Sequence, residues 1–292
     1  MNKIVFAHGA LFALNILYTV SYFVVKGVSP TYLSPSAFVF VRAIGACLLF
    51  WLAANFFPKE RVAKKDLLKI GFACFFGVVI NQLSFFHGLV HTAPTSTAII
   101  MTTTPLFALP LSYLMLKERV TIVKIGGVLI GFIGASIIIL QTVPSVSASQ
   151  PLLGNSLILL NAITFTFYLV YTKQLLAKYH LLTVLKWLFL FGSVVLIPIS
   201  APDFSAVTWD FPVEIWWGIG YVIVGITFLT FALNMFALKH LSPNVVTSYI
   251  FTQPILTAVF SFYLEGKTMS YLSVMASVLI FIGVYFVSIR KG

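Results

Sequence analysis

Two stretches of the chain spell the same pattern at a separation of 149 residues, and both are almost wholly apolar. Residues 91–113 read HTAPTSTAIIMTTTPLFALPLSY, and residues 240–262 read HLSPNVVTSYIFTQPILTAVFSF. The offset aligns His91 with His240, Pro94 with Pro243, Thr103 with Thr252, and Pro105 with Pro254. Because internal repetition determines the architecture of a fold, we predict two structurally related halves.

The composition indicates that the solvent of this chain is a lipid bilayer. Hydrophobic residues make up 60% of the sequence and charged residues 9%, whereas soluble domains carry roughly 25% charged residues. The net charge of +11 does not indicate nucleic-acid binding, because the charges lie in short loops rather than on one basic face. Cys47 and Cys74 lack any metal-binding spacing, so we expect two buried free thiols.

Ten apolar stretches are long enough to cross a membrane, which takes about 20 residues. We place them at roughly 4–25, 33–57, 68–90, 94–116, 121–141, 153–176, 181–201, 214–237, 243–264 and 268–289. The polar break at 142–151 is the best boundary between the halves, so we predict five-helix units at 1–146 and 147–292. The first stretch is followed by no cleavage site, and we expect a retained helix.

The distribution of basic residues predicts the orientation. With the N-terminus inside, fifteen Lys and Arg residues fall on the cytoplasmic side, whereas the outer loops hold only Lys26 and Lys267. Cytoplasmic loops collect Lys and Arg, so we predict that both termini are cytoplasmic in a multi-pass protein of the inner, cytoplasmic membrane. Five helices per half then force the second half to enter from the opposite side, which makes the repeat inverted.

The sequence resembles the drug/metabolite transporter superfamily, specifically its ten-helix EamA-type exporters. The similar features are APTSTAIIMTTTPLF and SPNVVTSYIFTQPIL, the segment LKERVTIVKIGGVLIGFIGASIII, and a lone Arg in helix 2. The resemblance implies an all-α fold of ten helices in two inverted repeats, with a central cavity lined mainly by helices 1, 3, 4, 6, 8 and 9. It also implies export of amino acids or related small metabolites. The second repeat departs from the first, because Lys267 occupies the position that matches Glu118.

Arg42 is the one full charge well inside a predicted span. Placing an unpaired arginine at the centre of a membrane helix costs about 2.5–3.5 kcal/mol of insertion free energy. No acidic residue in the predicted spans can pair with Arg42. One interpretation is an anchor for a substrate carboxylate or another anion. The alternative is that Arg42 binds carbonyl groups freed at a helix break or extends into a water-filled vestibule.

Further polar residues recur in the apolar segments and are candidate substrate-binding groups. Asn15, Tyr18 and Tyr22 share one face of helix 1, and Asn161, Thr164 and Tyr168 repeat that face on helix 6. Polar groups elsewhere in the spans complete the set: Asn81, Gln82, Thr104, Asn234, Tyr249 and Gln253. The alternative role is interhelical hydrogen bonding, which is typical of such residues in membranes. Gly127 and Gly131 have a spacing that permits close helix approach, either for helix packing or for a dimer face.

Pro105 and Pro254 occupy matching positions of the two halves and are the candidate hinges. Each removes a backbone hydrogen bond and bends its helix. Broken helices at corresponding positions are the best pointer in a sequence to a transport site.

The acidic residues restrict the possible coupling mechanism. All seven lie in loops or at helix ends, so the buried carboxylate typical of proton pumps is absent. If protons are coupled to transport, His87, His91 or an acid at a helix end must titrate, or the substrate carries the charge. His87 and His91 have a spacing compatible with a metal, but no third ligand follows, so we expect neither a metal nor a cofactor.

These observations favour a secondary transporter that works by alternating access between the two repeats. The alternative is a facilitative channel or a uniporter without ion coupling. We expect no enzymatic activity and no catalytic residue, because no protease, prenyl-transfer or Walker motif is present. The expected partners are a small-molecule substrate and the lipid bilayer, without nucleic acid, and the expected state is a monomer.

Overall fold

The structure, a computed structural model, describes residues 3–140, 150–265 and 270–289. These residues form helices joined by short connections, and no strand occurs within them. Nine helices in these ranges are long and apolar enough to cross a membrane, and the segmented helix at 243–265 is the tenth. The prediction of an all-α membrane protein is thereby confirmed.

The ten helices follow the predicted spans within a few residues at most ends. Their bounds are Lys3–Val28, Pro35–Ala54, Lys64–His91, Pro94–Leu116, Ile122–Leu140, Pro151–Leu176, Leu181–Ser205, Val213–His240, Pro243–Glu265 and Tyr271–Ser288, and we number them helix 1 to helix 10. Helix 7 contains Pro198 and Pro202 and continues past its predicted end at 201 to Ser205. The residues between helices 5 and 6 are described only from Gln150 onward, so the predicted division at 146 lies outside the described residues and stays a prediction.

Helix 4 is broken just before Pro105, and the sequence explains the position. Its two parts are Pro94–Met101 and Thr104–Leu116. Pro105 has no N–H to donate to the carbonyl group of Met101, one turn earlier. That carbonyl instead accepts a hydrogen bond from the side chain of Thr104 at 2.5 Å. The threonine hydroxyl therefore stabilises the break that the proline causes.

Helix 9 repeats this break in the second half. Its parts are Pro243–Ser248, the 3₁₀ turn Tyr249–Phe251, and Thr252–Glu265. The hydroxyl of Thr252 donates to the carbonyl of Tyr249 at 2.7 Å. At the 149-residue offset, Thr103 donates in the same way to Ile100 at 2.6 Å. The repeat seen in the sequence is therefore preserved in individual hydrogen bonds.

Helices 3 and 8 share a second irregularity that the sequence analysis did not predict. Helix 3 contains a π-helical segment at Phe75–Val79, and helix 8 contains one at Val222–Leu229. Shifted by the repeat offset, the first segment falls inside the second. π-Helical turns leave backbone groups out of register and occur frequently at functional sites.

The helices pack across the two halves. Helix 1 packs against helix 8, helix 3 against helix 6, and helix 2 against helix 7. Helices 5 and 10 approach closely through glycines, because a Cβ atom on Gly127 would lie 2.8 Å from the carbonyl oxygen of Gly283. The glycine spacing of helix 5 therefore serves helix packing within the chain. The described ends of helices 1 and 10 lie on one face of the bundle, called the terminal face below and predicted to be cytoplasmic.

Candidate functional site

Arg42 lies in the interior and is held by residues of both halves. Its Nε atom donates to the hydroxyl of Thr227 at 3.0 Å, and Thr227 is in the π-helical segment of helix 8. The guanidinium carbon lies 4.8 Å from the ring centre of Phe86 and 5.6 Å from that of Phe38. Aromatic faces attract cations and partly replace lost hydration.

No carboxylate pairs with this cation within the part of the chain that the structure describes. Arg42 is 5% exposed, and the ion pairs in that part of the chain join Asp66 to Lys69 and Lys178. The Nη atoms of Arg42 donate no hydrogen bond to a described residue, while a guanidinium carries five N–H donors. The site therefore holds a positive charge with unused donors.

Tyr18 joins this site from helix 1. Its hydroxyl interacts with the side chain of Thr230 and with the charge of Arg42. The structure therefore brings together two predicted site residues, Arg42 and Tyr18, with two threonines of helix 8. The side chain of Tyr22 lies outside the described residues, so its predicted role stays a prediction.

The predicted asparagines form interhelical and intrahelical hydrogen bonds. Asn81 and Asn161 each donate to the other's backbone carbonyl, at 3.1 and 2.8 Å, which ties helix 3 to helix 6. Asn15 donates to the carbonyl of Leu11 at 2.7 Å. The side-chain oxygens of Asn15, Asn161 and Asn234 are buried and accept no hydrogen bond in the described part of the chain. Unpartnered buried acceptors are costly, and the predicted role of these asparagines in substrate binding stays a prediction.

The remaining predicted residues are engaged inside the helix bundle. Thr164 donates to the carbonyl of Leu160 at 2.8 Å, and the buried Tyr168 donates to the sulfur of Met235 at 3.7 Å. Gln82 and Gln253 are half-buried. Pro105 is buried directly after the break in helix 4, and Pro254 is half-buried after the turn in helix 9.

A cavity of about 580 Å³ opens at the terminal face of the bundle. Its walls come from both ends of the chain and from the loops after helices 4 and 8, including His8, Glu118, Lys173 and His240. A second, adjoining cavity of about 410 Å³ shares three wall residues with it, His8, Ser288 and Ile289, and extends to Tyr249. Of the predicted substrate-binding residues, Tyr249 alone lines these two cavities.

His8 is a residue that the sequence analysis missed. Its Nδ1 atom lies 2.7 Å from the hydroxyl of Tyr249, at the irregular turn of helix 9. His8 stands seven residues before Asn15 and therefore shares its helix face. This spacing was the available signal. The cavity thus reaches the break in helix 9 through the pair of His8 and Tyr249.

Polar contacts connect helices at the opposite face of the bundle. Ser34 donates to Asp203 at 2.8 Å, and the hydroxyl of Ser36 lies 3.0 Å from Nε2 of His87. The hydroxyl of Thr92 donates to the side-chain oxygen of Asn155, and the backbone N–H of Gln150 donates to the backbone carbonyl of His91. These contacts join helices 2 and 7, helices 2 and 3, and the ends of helices 3 and 6.

Partial burial raises the pKa of Glu118. Glu118 is half-buried and follows Lys117, which ends helix 4 in the left-handed conformation with a φ of 55°. Burial raises the pKa of Glu118, while Lys124, Lys173 and a hydrogen bond from Asn244 act in the opposite direction. No cluster of three potential metal ligands occurs among the described residues.

Comparison with known proteins identifies the family. Residues 5–140 and 152–289 match the EamA-like transporter family. An uncharacterized transporter of Archaeoglobus fulgidus is 25% identical over 266 residues, which cover 90% of this chain and 91% of the relative. The uncharacterized transporter YyaM of Bacillus subtilis is 26% identical, with 91% of this chain and 85% of the relative covered.

A solved structure shows the same fold. A crystal structure with 14% sequence identity superposes with a TM-score of 0.78 and covers 96% of this chain and 95% of its own. The match to the family extends over both halves of the sequence. The chain belongs to the EamA-like transporter family, within the drug/metabolite transporter superfamily.

Proposed function

We propose that this transporter exports a small organic anion, such as an amino acid or a related carboxylate, from the cytoplasm by alternating access. The observation that carries the proposal is Arg42, a buried cation whose Nη donors have no described acceptor. A carboxylate offers two oxygens that match the guanidinium geometry. Arg42 is therefore the proposed anchor of the substrate.

The surroundings of Arg42 favour a substrate with an apolar or neutral polar remainder. Phe38 and Phe86 frame the cation, and Tyr18 and Thr230 add hydroxyl groups from two further helices. The unsatisfied side-chain oxygens of Asn15 and Asn234 are hydrogen-bond acceptors. An amino group on the substrate would supply donors to such acceptors, which is why amino acids fit this proposal.

The proposed pathway begins at the terminal face. The wider cavity opens there, and its neighbour reaches the broken turn of helix 9 at Tyr249. His8 and Tyr18 on helix 1 are ten residues apart, which corresponds to about 15 Å along a helix. The substrate would enter beside His8 and move along this helix to Arg42, while the contacts of the opposite face keep that side closed.

The alternation would use the irregularities that the two halves share. Helices 4 and 9 break at equivalent positions, and helices 3 and 8 carry equivalent π-helical turns. Such positions have fewer regular backbone hydrogen bonds, so they change shape at lower cost. We propose that they bend as the cytoplasmic side closes and the outer side opens.

A uniporter without ion coupling is the second candidate. The observation that favours it is the placement of the acids, because Asp66 and Asp203 lie near helix ends with partners already bound. If protons do drive export, His87 is a candidate carrier group, because it contacts Ser36 and interacts with Asp203.

The test is counterflow in proteoliposomes with labelled amino acids, nucleosides and sugar phosphates, each with and without a pH gradient. We expect saturable counterflow of a carboxylate-bearing compound. Arg42→Gln should lower it by roughly tenfold or more, because hydrogen bonds to charged groups contribute about 1.5–3 kcal/mol.

Arg61→Gln is the matched control, because it removes an exposed cation from the loop between helices 2 and 3. The control should transport as the parent does. Unchanged anion transport by a folded Arg42→Gln protein would refute the anchor, and unsaturable conductance would favour a channel. Stimulation by a pH gradient would decide against the uniporter.

A further inference from the structure

The two adjoining cavities at the terminal face differ in chemistry. The larger one is lined by Arg119, Lys124 and Lys173. The smaller one is lined by Phe281, Val284 and Tyr285 of helix 10, opposite Tyr249. We propose that the two cavities together bind one anionic phospholipid, with its phosphate in the larger cavity and an acyl chain in the smaller one.

The charge of the larger cavity fits a phosphate. Three Lys and Arg side chains and one acid, Glu118, line it, and the histidines His8 and His240 add further polar groups. The carboxylate of Glu118 accepts a hydrogen bond from Asn244 at 3.1 Å, so it is engaged within the protein. Basic pockets between helices on the cytoplasmic side of a membrane are suited to anionic headgroups.

Two of the bases differ in what they already bind. Lys173 donates to the carbonyls of Leu238, Lys239 and Leu241 and so caps the end of helix 8. Arg119 is exposed, and its guanidinium has no hydrogen-bond or ion-pair partner among the described residues. Lys124 donates to the backbone carbonyl of Arg119 at 3.3 Å, and both residues line the larger cavity. Arg119 and Lys124 are therefore the proposed phosphate contacts.

The smaller cavity fits a hydrocarbon chain rather than a polar group. Phe281 and Tyr285 are 55% and 65% exposed, so they offer apolar surface on the outside of helix 10. An acyl chain can pack along this apolar surface between helix 10 and Tyr249. A soluble anion would use the basic cavity but would gain nothing from this groove.

The junction between the cavities joins the two chemistries in one site. His8, Ser288 and Ile289 line both cavities. A ligand that fills both must carry a charged head and an apolar chain in one molecule, as a phospholipid does through its glycerol unit. Arg42 lines neither cavity, so lipid binding can be measured separately from substrate binding at Arg42. A lipid held here would occupy the entrance that we propose for the substrate, beside His8.

The experiment measures lipid binding to the purified full chain in detergent, by native mass spectrometry and by the thermal midpoint of unfolding. The probes are phosphatidylglycerol, phosphatidylcholine and inorganic phosphate at equal concentrations. We expect phosphatidylglycerol to stay bound and to raise the midpoint, while the other two probes have little effect. Equal effects of the two lipids, or tight binding of inorganic phosphate alone, would overturn the proposal.

Charge variants separate this site from the general basic surface. The double variant that carries both Arg119→Gln and Lys124→Gln should weaken phosphatidylglycerol binding by roughly tenfold or more. The control pair is Lys64→Gln and Lys65→Gln, which removes two exposed charges outside the cavity and should leave binding unchanged. If both double variants lost lipid binding equally, the binding would reflect general attraction to the basic surface, and the proposed site would be contradicted.

Ser288→Phe tests the smaller cavity independently. It keeps the proposal testable if the Arg119 and Lys124 double variant does not fold. The larger side chain should fill the junction and weaken binding of the two-chain lipid. It should leave the weak effect of inorganic phosphate unchanged. Undiminished phosphatidylglycerol binding by this variant, with a normal gel-filtration profile, would refute the groove.

Discussion

Arg42 on helix 2 donates from Nε to the hydroxyl of Thr227 on helix 8, with 3.0 Å between the two atoms. Thr227 in turn donates to the carbonyl of Val222, five residues earlier, at 2.9 Å. A separation of five residues is that of a π-helical turn. The irregular turn of the second half therefore presents the acceptor that orients the buried cation of the first half.

Thr227→Val should impair the transporter, because it removes this acceptor and leaves Nε of Arg42 buried without a partner. Such a loss costs about 1–3 kcal/mol. Thr227→Ser keeps the hydroxyl and should retain most of the activity. Counterflow and thermal unfolding of both variants provide the measurement. Equal behaviour of the Val and Ser variants would contradict the role assigned to the hydroxyl.

Gly283→Ala should destabilise the packing of helices 5 and 10. A Cβ atom at this position would lie 2.6 Å from both the carbonyl oxygen of Gly127 and the backbone nitrogen of Gly131. Overpacking of this kind typically costs about 1–3 kcal/mol. Gly126→Ala is the control, because no atom lies within 4 Å of the added Cβ. Unfolding in detergent should separate the two variants, and a stable Gly283→Ala protein would contradict the close approach.

The stability of the protein should fall as the pH decreases through the range in which His180 titrates. The Nδ1 atom of His180 accepts from the N–H of Leu182 at 3.3 Å and caps helix 7, which requires an unprotonated nitrogen. Burial lowers the pKa of His180, Lys239 lowers it further, and Glu60 opposes both. Below the ordinary histidine pKa of about 6.5 the unfolded chain binds more protons, so stability rises with pH there.

His180→Asn should weaken this dependence, because asparagine caps helices without titrating in this range. His180→Leu should lower stability by about 1 kcal/mol at every pH, since it lacks the cap. The measurement is the thermal midpoint between about pH 5 and 8. A parent-like pH profile in the asparagine variant would assign the dependence to another group.

Glu118 should contribute a dependence of the opposite sign. Burial raises its pKa in the folded protein, so the folded state binds the proton more tightly than the unfolded state. Stability should therefore decrease as pH rises from the ordinary glutamate value of about 4.3 through the raised value. Glu118→Gln should flatten this part of the profile, and the exposed Glu214→Gln should leave it unchanged. A flat parental profile in this range would contradict the burial argument.

Much of the fold was predictable because the bilayer imposes strict rules on sequence. A span needs about 20 apolar residues, so the ten helices could be counted directly from the sequence. The breaks of helices 4 and 9 were predictable from Pro105 and Pro254, although the threonines shift the break of helix 4 to just before Pro105. The π-helical turns were not predictable, because no residue type at Phe75–Val79 or Val222–Leu229 requires them.

The candidate site was predictable only as a set of residue types. A buried arginine without an acid is visible in the sequence, but its partner Thr227 lies 185 positions away. Asn81 and Asn161 looked like cavity residues, and the structure shows that each bonds the other's backbone. Sequence periodicity identifies which residues share one face of a helix. Which other helix contacts that face depends on tertiary packing.

The sequence by itself determined the number of helices, the repeat, and the family, because hydrophobic length and internal similarity are properties of the linear chain. The tertiary structure alone decided which polar groups meet. Arg42 reaches Thr227, and His8 reaches Tyr249, through contacts between the two halves. Those contacts arise from the packing of one helix on another, which no local stretch of sequence encodes.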